Sequence, residues 1–264
     1  MKIYIPTYKR VDKQITFHNL PAEFQKDVTF IINECEKDLS FFKDKLTIVV
    51  PDHFKIAEKR EEAFKNSSNE KFAVFDDDIR FLKRIENHTH KLITAEDFSE
   101  MFDFFSSVLD EPNVFLTNPK GTYLIPNLLV EYEEAIISGQ VNFFDGTKLL
   151  KENVKWTGLE QFEDIYVIMQ MLSKGYVNRI YNKYCYAGSQ INSEGGCSTH
   201  RTSTTYNESL VFLKRQFPEY IQIKKDKDHG YVGIKPGEMM KHRILLNRLY
   251  KDSLKRIKSK KIFL

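Results

Sequence analysis

The sequence predicts an α/β fold, one domain built on a mixed, mainly parallel central sheet, and three observations carry that expectation. Short β-rich apolar runs alternate with helical periodicity through the first half of the chain, which is the pattern of strands joined by crossover helices. Neither an internal repeat nor a long linker divides the 264 residues. Apolar side chains make up 41% and aromatic ones 13%, enough to fill a sizeable core. With Gly at 11 and Pro at 8, collagen-like and low-complexity architectures are excluded. No apolar run approaches the ~20 residues of a membrane helix, so stable membrane insertion is not expected. The amino terminus shows no secretory pattern, which places the chain in the cytoplasm as an expectation.

Taken in order, strands are expected at 3–6, 28–33, 46–50, 72–75 and 113–117, with helices between them, one starting near Asp52. The clearest helix begins at Thr94, where Asp97 completes a capping-box-like pair and Phe98, Met101, Phe102, Phe105, Val108 and Leu109 share a face. The second half offers a strand at 141–144, a helix at 163–174 closed by Gly175, and a strand over 178–186. Residues 188–206 are rich in Ser, Thr, Gly and Asn and read as a long functional loop or lid. The chain divides into a body, 1–237, and a basic amphipathic helix, 238–264, packed on it. On a helical wheel Leu245, Leu246, Leu249, Tyr250, Leu254 and Ile257 gather on one side, with Arg248, Lys251, Lys255 and Lys258 opposite.

Net charge is +3 but unevenly placed: residues 241–264 hold nine Lys/Arg against Asp252 and carry +8, leaving −5 on the rest. The basic stripe suits a polyanion such as DNA, and a solvated helix or an anionic membrane surface would use the same pattern. Cys35, Cys185 and Cys197 show no paired spacing and read as reduced, buried thiols.

Asp76, Asp77 and Asp78 follow the apolar run Lys71–Phe75, at the strand end where open α/β sheets bind ligands. Three adjacent carboxylates repel one another, and a divalent cation relieves that directly; a polar turn would need no metal. Pro6, Thr7, Tyr8, Lys9 and Arg10 end the first strand with hydroxyls and cations suited to a nucleotide, and also with ordinary turn chemistry. Arg60 has the reach for a nucleotide or for a solvated helix face. Glu163 and Asp164 open a helix, where acids complement the dipole or take a proton from an acceptor hydroxyl. Trp156 and Gly158 upstream are suited to border a sugar pocket. Gly195 and Gly196 beside His200 and Arg201 offer close backbone approach next to metal- or phosphate-binding groups. His88 and His90 read as a surface loop. The sequence has no dinucleotide fingerprint, P-loop, H-E-x-x-H or nucleophile elbow, which disfavours those enzyme classes.

Together these residues resemble a GT-A glycosyltransferase over roughly residues 1–200. Pro6–Arg10 is similar to the family's first-strand start, Asp76–Asp78 to its D-x-D motif, and Glu163–Asp164 with Leu172 and Gly175 to its E-D helix. With Phe75, Ile79, and Gly195–Ser198 followed by Arg201–Thr202, the chain more narrowly resembles the phage TET-associated glycosyltransferases, which add sugars to hydroxymethylated pyrimidines in DNA. The resemblance implies a nucleotide-sugar donor, UDP-linked, contacted by Pro6, Thr7, Tyr8, Arg10, Asp76 and Asp77, with Arg60 and Trp156 nearby. It implies Mn2+ or Mg2+ held by Asp76, Asp78 and a histidine, His200 or His229, and Asp164 with Glu163 as the catalytic carboxylates, Asp164 being the base if the transfer inverts the sugar and having another role if it retains it. The acceptor is then DNA carrying hydroxymethylated bases, met by Gly195, Gly196, Arg201 and the basic stripe. Transfer to a cell-surface polysaccharide precursor, two-metal phosphoryl transfer, and nucleic-acid binding without catalysis are the competing readings, and the identity of transferred sugar and acceptor separates them.

Overall fold

The structure is a computed structural model that describes all residues except 68, 87–88, 125, 128, 189–200, 226–237 and 263–264. The chain forms β1 (Lys2–Pro6), α1 (Ile15–Asn19), α2 (Ala22–Gln25), β2 (Val28–Asn33), β3 (Leu46–Val50), α3 (Ile56–Asn66), β4 (Lys71–Phe75), β5 (Arg80–Glu86) and β6 (Thr89–Leu92). There follow α4 (Ala95–Val108), β7 (Val114–Gly121), β8 (Tyr132–Glu134), β9 (Val141–Asp145), α5 (Gly146–Lys151), α6 (Glu163–Ser173) and β10 (Val177–Ala187). The last elements are α7 (Ser203–Gln216), β11 (Ile221–Lys225), β12 (Met240–Ile244) and α8 (Leu246–Ile262).

One mixed sheet runs β3-β2-β1-β4-β9-β7-β10-β5-β6, with β8 added to β10. Strands β1, β2, β3, β4, β7 and β10 share a direction, and β9 runs antiparallel between β4 and β7. From β1 the chain builds outward through β2 and β3, then returns to place β4 on the other side of β1. Where strand order reverses in this way, the two following loops diverge and leave a crevice at the carboxyl ends of the strands. Thr7–Arg10 and Asp76–Asp78 flank that crevice.

Burial explains why the inner strands read as unbroken apolar runs. Ile3, Tyr4, Ile5, Phe72, Ala73, Val74, Phe75, Val114, Phe115 and Leu116 are all at most 1% exposed, covered on both faces by helices. Phe98, Met101, Phe102 and Phe105 of α4 are buried as their spacing predicts, and Thr94 caps the helix by accepting the Asp97 N–H.

Several expectations change. The basic segment is not helical from residue 238: Lys241 to Ile244 pair with β11, alternating exposed and half-buried side chains, and the helix starts at Leu246. The polar stretch ends earlier than its composition implies, because Thr202 and Thr205 form a capping box that starts α7. The helix expected near Asp52 begins at Ile56. Cys35 is exposed, while Cys185 is buried and Cys197 lies outside the described residues. His90 belongs to β6 rather than a loop, and His88 lies outside the described residues.

Helix α8 docks through Leu246 and Leu249, which join the main core. It crosses the amino ends of β7 and β10. There Tyr250 lies beside Asn113, and a Cβ on Gly175 would meet Ile257 Cδ1 at 2.5 Å. No helix among the described residues is long and apolar enough to cross a membrane.

Candidate active site

Two separate networks hold the acids that follow β4. Thr7 Oγ1 donates to Asp77 Oδ2 at 2.6 Å, and Arg10 donates to Asp77 Oδ1 at 2.8 Å and to Asp78 Oδ2 at 2.9 Å. Gln14 Nε2 completes the loop by donating to Thr7 Oγ1 at 2.8 Å and to the Arg10 carbonyl at 3.0 Å. Glu36 receives the Lys9 N–H at 2.8 Å, fixing a residue whose φ of 53° is left-handed. Thr16 hydrogen-bonds the Asp76 carbonyl and accepts the Ile79 N–H at 2.8 Å, so the turn after β4 is closed from α1. Asp77 and its partners are thus a brace for the turn, with the carboxylate of Asp76 left on the crevice side.

The second network joins distant parts of the chain. Arg60, at the middle of α3, donates to Asp76 Oδ1 at 3.0 Å and to Glu163 Oε1 at 2.7 Å. Its side chain and that of Glu163 are 7% and 9% exposed. One guanidinium therefore ties the turn after β4 to the first turn of α6, a pairing for which its planar fork is suited and a lysine is not. Asp164 stands next to this pair and accepts the Ile165 N–H at 2.7 Å; it makes no ion pair among the described residues. The residue before them, Phe162, starts α6 with a left-handed φ of 66° and no side-chain cap, held by ring contacts with Tyr206 and His242 at 5.0 and 5.3 Å.

Burial sets the electrostatics. It pushes the carboxyl groups of Asp76, Glu163 and Asp164 upward, with Arg60 as the main opposing influence on each. Asp77 is pushed up to about 6 by burial, against the pull of Thr7 and Arg10. Arg201 is exposed, but its charge reaches Glu163 and favours the ionised form there. Asp78 Oδ1 is buried with no hydrogen-bond partner. Five acids thus face Arg10, Arg60 and the buried Lys59, and the excess of negative charge with an orphaned carboxylate oxygen suits a divalent cation. Among the described residues no three His, Cys, Asp or Glu groups form a ready-made metal site.

The structure therefore brings together Thr7, Arg10, Arg60, Asp76, Asp77, Asp78, Glu163 and Asp164. Pro6 is buried inside β1, paired to Ile31, and serves the sheet. Tyr8 is half-buried with Lys59 Nζ 5.4 Å from its ring centre. Trp156 is a correction: it is fully buried, its ring 5.3 Å from Phe144 in the core, and cannot border an open sugar pocket. Gly195, Gly196, His200 and the alternative His229 lie outside the described residues. Arg248, Lys251, Lys255 and Lys258 are exposed, on a helix at the amino edge of the sheet, the edge opposite the carboxylates. Sequence reading missed Lys59, which is buried and donates to the Thr7 carbonyl, and Gln14. The only signal for Lys59 was its place one residue before Arg60 on the same helix.

Comparison with known proteins shows the family and the fold. The sequence profile of the TET-Associated Glycosyltransferase family matches residues 1–196. A protein of Enterobacteria phage T6, "Beta-glucosyl-HMC-alpha-glucosyl-transferase", is 21% identical over 85% of this chain and 84% of its own. Its namesake in phage T2 is 20% identical over the same shares. Among solved structures, the mannosyltransferase PcManGT of Pyrobaculum calidifontis, in complex with GDP-Man and Mn2+, superposes with a TM-score of 0.52. That match has 12% identity over 81% of this chain and 64% of the other, and it shows the GT-A fold.

Proposed function

The chain belongs to the TET-associated glycosyltransferase family and is a glycosyltransferase, and from that premise we propose that it moves a sugar from a UDP-linked donor to a hydroxymethylated pyrimidine in phage DNA. The observation that carries this reading is the Arg60 bridge, which sets the D-x-D-like Asp76 beside the E-D pair of α6 although 87 residues separate Asp76 from Glu163. A donor-side acid and an acceptor-side acid then share one crevice, as displacement at a single anomeric carbon requires.

Tyr8 offers its ring to the nucleotide base, and the turn braced by Arg10 and Thr7 orients Asp76 toward the ribose and diphosphate. Asp76 and Asp78 would hold Mn2+ or Mg2+, which when bound neutralises charge on the departing diphosphate. Asp164, with Oδ1 engaged by Ile165 N–H, takes the proton of the attacking hydroxyl at Oδ2. Glu163 keeps its charge paired with Arg60 and so holds the first turn of α6 in place. The two phage relatives are named for an acceptor that already carries glucose, so the acceptor hydroxyl here is either that of the hydroxymethyl group or that of a sugar on it.

The test is incubation with a panel of UDP-sugars and duplexes containing hydroxymethylcytosine, hydroxymethyluracil or β-glucosylated hydroxymethylcytosine, with and without chelator, followed by mass analysis of the nucleosides. A metal-dependent hexose gain on one of these nucleosides is expected. Transfer to saccharides alone, with every DNA unchanged, overturns the acceptor; undiminished transfer in excess chelator overturns the metal.

A further inference from the structure

The crevice continues past Asp76 along the carboxyl edge of the sheet, through groups that the donor chemistry does not use. Asp76 N–H donates to the Gln140 carbonyl at 2.9 Å, and Gln140 N–H donates to the Tyr186 hydroxyl at 3.2 Å. That hydroxyl lies 3.1 Å from the hydroxyl of Tyr123. Tyr186 is completely buried, whereas Tyr123, just past the end of β7, is 66% exposed. The two strands that deliver them are in register there, Tyr186 opposite Gly121 and its carbonyl receiving the Thr122 N–H at 2.9 Å.

Two glycines make room for the pair. A Cβ on Gly121 would lie 2.5 Å from Tyr123 Cε1, and one on Gly139 would lie 1.6 Å from the Tyr186 hydroxyl. An exposed aromatic ring is ordinarily free to change rotamer. This one is seated over a glycine and tethered by its hydroxyl to a buried tyrosine that also holds Gln140, the residue whose carbonyl receives the Asp76 N–H. β4 and β7 flank β9, so the strand that leads to Tyr123 runs two strand spacings, roughly 10 Å, from the strand that leads to Asp76. A flat apolar surface fixed in advance costs a planar ligand little to use.

We propose that the Tyr123 ring is the platform on which the acceptor base stacks when its hydroxyl meets Asp164. The proposal rests on the reading that the acceptor is a base in DNA, and it adds the side chain that receives that base once it leaves the duplex. Base stacking on an aromatic ring, judged by alanine replacement, corresponds to roughly 5- to 150-fold in affinity.

Full-length Y123A and Y123F are compared with the parent on a hydroxymethylcytosine duplex and the donor identified by the panel. Y123A is expected to raise the KM for DNA within that range, the loss appearing in KM rather than in kcat, and Y123F, which keeps the ring but loses the hydroxyl tether to Tyr186, to fall between Y123A and the parent. Y123W, read against the single buried Trp156, should lose fluorescence on a hydroxymethylcytosine oligonucleotide and keep it on the same oligonucleotide with an abasic site at that position. An unchanged KM for DNA in Y123A, or equal quenching by the abasic oligonucleotide, overturns the platform. A parent enzyme that modifies no DNA overturns the acceptor reading instead, and the platform falls with it.

Discussion

Arg60 is the side chain through which the two carboxylate motifs meet, and its removal would leave Asp76 and Glu163 facing each other without compensation. Arg60→Met is therefore expected to destabilise the fold by about 3 to 5 kcal/mol, the range for breaking a buried charge network on one side. Urea unfolding measures it, and a loss below about 1 kcal/mol would mean that the bridge is not holding the site together. Asp164→Asn should fold as the parent does and transfer ~10² to 10⁴ times more slowly, since an amide accepts no proton. The carboxyl of Asp164 is pushed up by burial. A general base works unprotonated, so kcat/KM should fall as pH drops through that raised value, above the ~3.9 of an ordinary aspartate. A pH profile of kcat/KM checks it: an acid limb at the ordinary aspartate value, or none, would remove Asp164 from the role. At this scale the acids were legible because their chemistry shows in their type and spacing. Trp156 was not, since a tryptophan near a glycine looks alike whether it lines a pocket or, as here, packs on Phe144.

Among the elements, the parallel strands and α4 follow their patterns because burial on both faces, or on one helical face, leaves a periodic record. β12 left none. Lys241, His242 and Arg243 are consecutive polar residues, so although their side chains alternate between exposed and half-buried in the strand, the segment reads as part of the basic helix expected from 238, whereas the helix begins at Leu246. Pairing with β11 decided the outcome, and a tertiary partner of that kind is invisible in the segment itself. The junction of α6 and α8 turns on Gly175, whose φ is 89° and whose missing Cβ makes room for Ile257. Gly175→Ala is expected to cost about 1 to 3 kcal/mol from the left-handed backbone alone, and more from the contact with Ile257. Amide exchange should then accelerate in α8 before it does in β1 or β4. Equal protection of α8 in parent and variant would show that the helix is held elsewhere, through Leu246 and Leu249.

For the whole molecule, what matters is where the charge lies relative to the crevice. Carboxylates crowd the carboxyl edge of the sheet, while the cationic face of α8 crosses its amino edge beside Asn113 and Gly175. β7 alone, eight residues long, separates the two edges by roughly 26 Å. No wheel could show this distance, because a wheel records the angle around a helix and nothing of its place in the fold. It changes what the stripe can do for a DNA acceptor. A polyanion held by Arg248, Lys251, Lys255 and Lys258 must run along the flank of the molecule before its modified base reaches Asp164, and at 3.4 Å per base pair that path needs roughly eight base pairs or more. Reversing all four to Glu should therefore weaken binding of a long duplex and lower the slope of log affinity against log salt by about 3 to 4, at ~0.9 per phosphate contact. An acceptor of three or four nucleotides cannot bridge the two edges, and its KM should stay with the parent's. Titration of both acceptors across a salt series separates the cases. Equal losses for the short and long acceptors would place the stripe's effect at the crevice itself, and a long duplex that keeps the parent's salt slope would remove α8 from the DNA-binding surface.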